Sequence, residues 1–205
     1  MTLRSVTKKD TDTANALKPG RLFIVSAPSG AGKTTLCKRL LARFTDMIYS
    51  ISYTTRAPRI DEKNGVDYFF ISKKDFETKI IEGKWAEWAK VHGNFYGTSA
   101  EYLNDAILSG KDILLDIDVK GTMQIIKRYS DSITIFIMPP SLEELKIRME
   151  SRGTDTREVI ENRLKNAKEE MAQKNLYKHE IINDSLDKAT FELFALVEKY
   201  RAGSL

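Results

Sequence analysis

Ser26-Ala27-Pro28-Ser29-Gly30-Ala31-Gly32-Lys33-Thr34-Thr35 follows directly on an apolar, β-type segment, Leu22-Phe23-Ile24-Val25. It runs directly into the helical pattern Leu36-Cys37-Lys38-Arg39-Leu40-Leu41. A glycine-rich turn between a strand and a helix is the setting in which a phosphate-binding loop works. Gly30 and Gly32 let the backbone turn its N–H groups inward around a phosphate, and the following helix adds the positive end of its dipole. From such a loop Lys33 reaches the outer phosphates of a nucleoside triphosphate, and the Thr34 hydroxyl holds Mg²⁺. The stretch fits G-x-x-x-x-G-K-S/T with one departure, Ala27 in place of the first glycine. A small residue at a strand exit leaves the turn intact. The triphosphate-contacting set read from the loop is Ala27, Pro28, Ser29, Gly30, Ala31, Gly32, Lys33, Thr34 and Thr35. A chance glycine-rich turn is the bland alternative, and the flanking strand and helix argue against it.

A chain of 205 residues, 41% hydrophobic and 30% charged, is long enough for one good core with a small inserted lobe. The net charge of +4 is mildly basic. Its arginines cluster where nucleotide phosphates explain them better than a polynucleotide would, so no nucleic-acid partner is expected. The single cysteine, Cys37, cannot form an internal disulfide and falls on the helix after the loop as a small core residue. That fits a reducing compartment, the cytoplasm. No apolar run approaches membrane-spanning length, and no membrane partner is expected. Residues 1–20 are polar, without the apolar block of a signal peptide, and read as a flexible tail ending at Pro19-Gly20.

Downstream, Ile113-Leu114-Leu115-Asp116-Ile117-Asp118, Ile133-Thr134-Ile135-Phe136-Ile137-Met138 and the short Ile181-Ile182-Asn183 are near-continuous apolar runs. Such runs predict strands buried on both faces, hence a mostly parallel sheet covered by helices in a three-layer α/β fold. Ser141 with Glu144 forms a capping box that opens a helix toward Arg152, and Gly153 is placed to end it. A long, charged helix is predicted over residues 156–175. The last helix, from Ser185, carries Leu186, Ala189, Leu193, Val197 and Tyr200 on one face. Asp116 and Asp118 are expected on the same side of their strand.

Residues 53–99 break this rhythm. Asn64-Gly65, Tyr68-Phe69-Phe70-Ile71, Trp85-Ala86-Glu87-Trp88 and Gly93-Asn94-Phe95-Tyr96-Gly97 read as short aromatic strands and turns. They predict a small, mostly antiparallel lobe inserted into a core formed by residues 21–52 and 100–205. The run Lys165-Asn166-Ala167-Lys168-Glu169-Glu170 reads as a solvated helix face with local charge pairs.

With these residues in view, the chain resembles the guanylate kinases. It carries S-A-P-S-G-A-G-K, then T-T-R-A-P-R at residues 54–59 and N-G-V-D-Y at 64–68. E-W-A follows at 87–89, G-N-F-Y-G at 93–97 and L-D-I-D at 115–118; R-G-T-D and I-I-N-D close the set at 152–155 and 181–184. The match runs in order over residues 21–200. The resemblance implies reversible transfer of the γ-phosphoryl group of Mg-ATP to GMP, and to dGMP, with the preference between them left open. It implies that Arg56, Arg59, Tyr68 and Tyr96 hold the acceptor phosphate, a task suited to arginine forks and phenolic donors. Glu87, with Ser52 and Thr98, is implied to read the base. A carboxylate accepts guanine N1–H and the exocyclic amine together, whereas adenine presents an acceptor. Such a site rejects the wrong analogue by ~10⁴ or more.

A lid over residues 140–168 is implied to bring Arg148, Arg152 and Arg163 over the ATP phosphates, where arginines neutralise developing charge and matter by ~10³ or more in rate. Arg157 lies nearby without an assigned role. Asp116 is the candidate for the Mg²⁺ water shell or for positioning the acceptor, and Asp118 for orienting Lys33. The sequence leaves those two roles open, with a carboxylate capping the next turn as the structural alternative. Asn183 is placed on the adenine side. The attacking group is already an anionic phosphate oxygen, so no general base is assigned, and His92 and His179 are read as surface or core histidines. Catalysis then rests on in-line positioning and on Lys33, Mg²⁺ and arginines. Three alternatives remain: a phosphopeptide-binding module of the same fold, a related kinase of a phosphorylated sugar, and a nucleic-acid NTPase. Lys33, Arg152 and Arg163 speak against the first, Ser52 and Glu87 against the second, and the lack of a stacking or basic-stripe module against the third. Oligomeric state is not legible.

Overall fold

Every position of Leu22–Ser26 is buried, and this strand, β1, is the centre of the molecule. The computed structural model describes residues 18–91, 93–151, 153 and 155–204. After β1 come α1 (Lys33–Arg43), β2 (Ile48–Tyr49), β3 (Tyr53–Thr54), β4 (Phe69–Phe70), α2 (Lys73–Ile81), β5 (Trp85–Val91) and β6 (Asn94–Ser99). The chain continues through α3 (Ala100–Leu108), β7 (Ile113–Asp116), α4 (Val119–Arg128), β8 (Ile133–Met138), α5 (Leu142–Glu150), α6 (Arg157–Met171), β9 (His179–Ile182) and α7 (Leu186–Ala202).

The larger sheet has the order β2-β7-β1-β8-β9 and all its pairings are parallel. Alternation along β1 shows why both faces must be covered. Phe23 and Val25 pack with Leu36 and Leu40 of α1 and Leu193 and Val197 of α7. Leu22 and Ile24 pack with Leu103 and Ala106 of α3 and Ile125 of α4. Each fully buried side chain of this size contributes ~1.5–3 kcal/mol of transfer free energy. A parallel sheet gathers its strand C-termini on one edge, where ligands of open α/β folds bind. Here that edge carries the loop after β1, Asp116 at the end of β7 and Asn183 just beyond β9.

The smaller sheet has the order β4-β3-β6-β5, with one parallel pairing, β3 to β4, and antiparallel pairings elsewhere. Its core is aromatic: the Phe76 ring stacks on Trp85 with centroids 4.2 Å apart and on Phe95 at 5.2 Å. It is tied to the larger unit through α4. The Trp88 N–H donates to Gln124 Oε1 at 3.2 Å, and Gln124 Nε2 donates back to the Trp88 carbonyl at 3.0 Å.

Several expectations change. The inserted segment contains a helix, α2, that its aromatic pattern did not suggest. Phe76 is its one buried residue, so its apolar stripe is thin, although Ser72 caps it by accepting from the Asp75 N–H. The charged helix α6 stops at Met171 and gives way to a single 3-10 turn at Lys174–Leu176. Asp118 does not share a strand face with Asp116. The strand ends at Asp116, and Asp118 is the N-cap of α4, its Oδ1 accepting from the Gly121 N–H at 2.7 Å. Half of the capping box at Ser141 forms: Ser141 Oγ accepts from the Glu144 N–H at 3.0 Å, while the Glu144 carboxylate accepts from Arg148 Nε at 3.0 Å. Cys37 is buried, and burial pushes its thiol up to about 11.

Candidate active site

The loop between β1 and α1 is shaped by two glycines in the left-handed region, Gly30 at φ +93° and Gly32 at φ +94°. Contact opposes a side chain at either position as well. A Cβ on Gly32 would lie 2.4 Å from Asn183 Nδ2, and one on Gly30 would lie 3.1 Å from Leu145 Cδ1 of α5. The loop is thus gripped between the end of β9 and the start of the α5–α6 pair. Asn183 is 4% exposed and its Nδ2 donates to the Ala31 carbonyl at 2.8 Å. Asn183, expected on the adenine side, has its Nδ2 bound under the loop. Ala27, where the motif has glycine, packs against the cluster around Phe23 and Leu36.

Lys33 opens α1, and its ammonium is ion-paired with Asp116 Oδ1. Of the two carboxylates whose roles the sequence left open, Asp116 is the ion-pair partner, while Asp118 acts on Lys33 through its charge. Burial pushes the Lys33 pKa down, and the negative charges of Asp118 and Glu170 oppose that. Glu170, from α6, was missed by sequence reading, which took its segment for a solvated face. It lines a cavity of about 370 Å³ together with Gly30, Gly32, Lys33, Thr34 and Thr35. Burial and the nearby Asp118 raise its pKa, and Lys33 lowers it.

A second cavity, of about 320 Å³, is lined by Ser52, Tyr68, Glu87, Tyr96, Asp116 and Asp118, among others. Asp116 links the two spaces: it lines the second and pairs with Lys33, which lines the first. Glu87 is 7% exposed. It lies opposite Thr98 across the β5–β6 ladder, just after a register shift at Trp85/Glu87, a device that re-aims a side chain. The Thr98 hydroxyl donates to Glu87 Oε1 at 2.6 Å. Burial pushes the Glu87 carboxyl up to about 7, opposed by that hydrogen bond and assisted by the charge of Asp118.

Arg56 packs its guanidinium 5.5 Å over the ring of Tyr68, one of the residues lining this space. The Tyr68 and Tyr96 rings meet edge to face at 5.9 Å. Glu62, also unforeseen, organises the basic turn. One oxygen accepts from Arg56 Nη2 and the other from the Arg59 N–H, both at 2.8 Å. Arg59 itself is exposed.

The two lid arginines among the described residues are each engaged by a carboxylate of their own segment. Arg148 pairs with Glu144 at 3.0 Å and Arg163 with Asp155 at 2.7 Å. Arg157 pairs with Glu161 on the exposed side of α6. Arg152 and His92 lie outside the described residues, as do residues 1–17. His179 shares a 2.7 Å hydrogen bond with the Tyr200 hydroxyl and lines neither cavity.

A central strand running into a glycine-rich loop, with the loop lysine paired to the carboxylate at the end of the neighbouring strand, defines a P-loop α/β nucleotide-binding protein. Comparison with known proteins narrows this class. The family model described as guanylate kinase matches residues 19–200. Relatives named guanylate kinase include one from Syntrophotalea carbinolica, 47% identical over 188 residues, covering 91% of this chain and 90% of the relative. Another, from Neisseria gonorrhoeae, is 45% identical over 187 residues, covering 91% of each. The crystal structure of guanylate kinase from Anaplasma phagocytophilum superposes with a TM-score of 0.68 at 30% identity, covering 89% of this chain and 87% of that one. The chain belongs to the guanylate kinase family.

Proposed function

We propose that this protein is an enzyme that transfers the γ-phosphoryl group of ATP reversibly to GMP, giving ADP and GDP. The observation that carries this reading is the position of Asp116, ion-paired to Lys33 of the phosphate loop while lining the cavity that holds Glu87 and Ser52. A donor phosphate over the loop and an acceptor phosphate in the second cavity would then approach each other across a single side chain. Holding the two in line supplies much of the catalysis, since the acceptor oxygen is already anionic and needs no base.

Residues 27–35 and Lys33 hold the triphosphate in this reading. Arg56, Arg59, Tyr68 and Tyr96 hold the acceptor phosphate, Glu87 with Ser52 and Thr98 reads guanine, and Asp116 positions the acceptor. Arg148, Arg152 and Arg163, carried by the segment 140–168, turn to phosphate oxygens and spread the developing charge, Arg148 and Arg163 leaving Glu144 and Asp155 to do so. Closure of that segment and of the lobe 53–99 on the core keeps water from the transferring group.

Among the described residues no trio of His, Cys, Asp or Glu side chains is grouped to hold a metal ion. That fits Mg²⁺, which keeps several waters and binds through few protein groups plus substrate phosphates. Thr34 would hold it directly and Asp116 through water. Mg²⁺, when bound, neutralises charge on the phosphates. A cytoplasmic site of action suits both substrates and the buried thiol of Cys37. No helix among the described residues is long and apolar enough to cross a membrane.

A panel of GMP, dGMP, AMP and UMP as acceptors in a coupled ADP-release assay tests the assignment. GMP is expected to turn over far faster than AMP; comparable rates with AMP would remove Glu87 as the base reader. Absence of turnover with every acceptor would favour the binding-module alternative.

A further inference from the structure

We infer that Gly121, behind Glu87 on α4, is a positioning residue that sets how well the acceptor site discriminates between purine monophosphates. The inference rests on the reading of Glu87 as the group that binds guanine.

Gly121 sits in the first turn of α4 and is buried. Glycine is the poorest helix former after proline, so its presence there calls for a reason. Backbone conformation does not supply one, because Gly121 is not among the glycines with positive φ. Contact does. A Cβ at this position would lie 3.1 Å from Glu87 Oε2, 3.4 Å from Asp118 Oδ1 and 3.5 Å from Glu87 Cδ. The first of these is closer than ordinary van der Waals contact.

Neither carboxylate has an easy retreat. Glu87 Oε1 is held by the Thr98 hydroxyl at 2.6 Å, and the residue is 7% exposed. Asp118 Oδ1 is held by the Gly121 N–H at 2.7 Å. A methyl group at 121 would therefore displace the Glu87 carboxyl by a few tenths of an ångström. The space open to it is the cavity that Glu87 lines. Guanine offers two donors, N1–H and the exocyclic amine, and both bonds to a carboxylate depend on where its two oxygens lie. Inosine monophosphate keeps N1–H and lacks the amine. Displacement of the carboxyl therefore takes more from GMP than from IMP. The bare α-carbon of Gly121 is the surface against which the base-reading carboxylate is registered.

The test compares steady-state kinetics of Gly121→Ala, Glu87→Gln and the parent enzyme with GMP and IMP as acceptors. Gly121→Ala is expected to raise KM for GMP roughly tenfold and to narrow the GMP-to-IMP ratio of kcat/KM, with KM for ATP unchanged. A purely structural lesion in α4 would not move the acceptor ratio while leaving ATP untouched. If Glu87→Gln loses selectivity and Gly121→Ala keeps it, the inference about Gly121 is wrong and the reading of Glu87 stands. If Glu87→Gln keeps selectivity, the reading of Glu87 is wrong and the inference goes with it. Should Gly121→Ala fail to fold, Gly121→Ala/Glu87→Asp, whose carboxyl is one methylene shorter, is expected to fold. Failure of that variant too would place the strain in α4 rather than at Glu87 and overturn the inference.

Discussion

The hydroxyl of Thr98 donates to Oε1 of Glu87 at 2.6 Å across paired strands, to a carboxylate that is largely desolvated. Hydrogen bonding from Thr98 offsets burial only in part, and the Glu87 carboxyl is left pushed up to about 7.

The first prediction concerns pH. A raised carboxyl pKa means that the folded protein keeps a proton the unfolded chain has lost, so the contribution of Glu87 to stability is greatest below about 4.5. It falls as pH rises toward about 7 and is flat above, a loss on the order of 3 kcal/mol at most. In the proposed reading guanine binding needs the Glu87 carboxylate, so KM for GMP is expected to fall as pH rises through about 7, while KM for ATP does not follow. The phosphate of GMP titrates near ~6 as well. Glu87→Gln separates the two, because only the phosphate step survives in it. A wild-type profile identical to that of Glu87→Gln would refute the assignment.

Asn183 tests the support of the loop. Asn183→Ala removes the donor to the Ala31 carbonyl, and an unsatisfied buried acceptor costs about 1–3 kcal/mol. For a chain of this length that lowers Tm by roughly 3–10 °C. KM for ATP is expected to rise while KM for GMP stays put. Asn183→Asp, nearly isosteric but without the donor, is expected to behave alike; a wild-type KM for ATP in both variants would show that the loop holds its shape alone.

Lys33→Ala is expected to reduce turnover by roughly 10³ or more while far-UV circular dichroism stays unchanged, since the side chain is half-buried and its main partner is Asp116. Lys33→Arg is not expected to rescue it, because a planar fork does not replace a compact point charge at this spot. Turnover within tenfold of wild type in either variant would contradict the role given to Lys33.

Glu62 offers a fourth measurement. Both of its oxygens are engaged, one by Arg56 and one by the backbone of Arg59. Glu62→Gln weakens the first bond and turns a donor toward one of the two sites. KM for GMP is expected to rise several-fold with kcat at saturating GMP near wild type, and Glu62→Asp is expected to fall between. An unchanged KM for GMP would mean that Arg56 and Arg59 are positioned without it.

Elements whose cause is local were legible before the structure. The loop at residues 26–35 could be read because strand, glycines, lysine and helix are contiguous, and β1, β7 and β8 because a strand buried on both faces is apolar at nearly every position. The helix α2 was not legible, since Phe76 alone is buried in it and the aromatic strands on either side dominate the pattern. Asp118 was misplaced for a related reason: two residues after Asp116, alternation along a strand and capping of the next helix look the same in sequence.

The residues missed altogether, Glu62, Glu170 and Gly121, share another property. Each draws its meaning from a partner brought up by a different element: Arg56 across a turn, Lys33 from α1, Glu87 from the second sheet. What this chain determined by itself was its phosphate loop, its parallel core and the amino-acid types suited to a guanine nucleotide, because spacing along the chain encodes local geometry. Which carboxylate meets Lys33, what lies under the loop and what Glu87 rests against were decided only in three dimensions, where parallel crossovers set distant strand ends side by side.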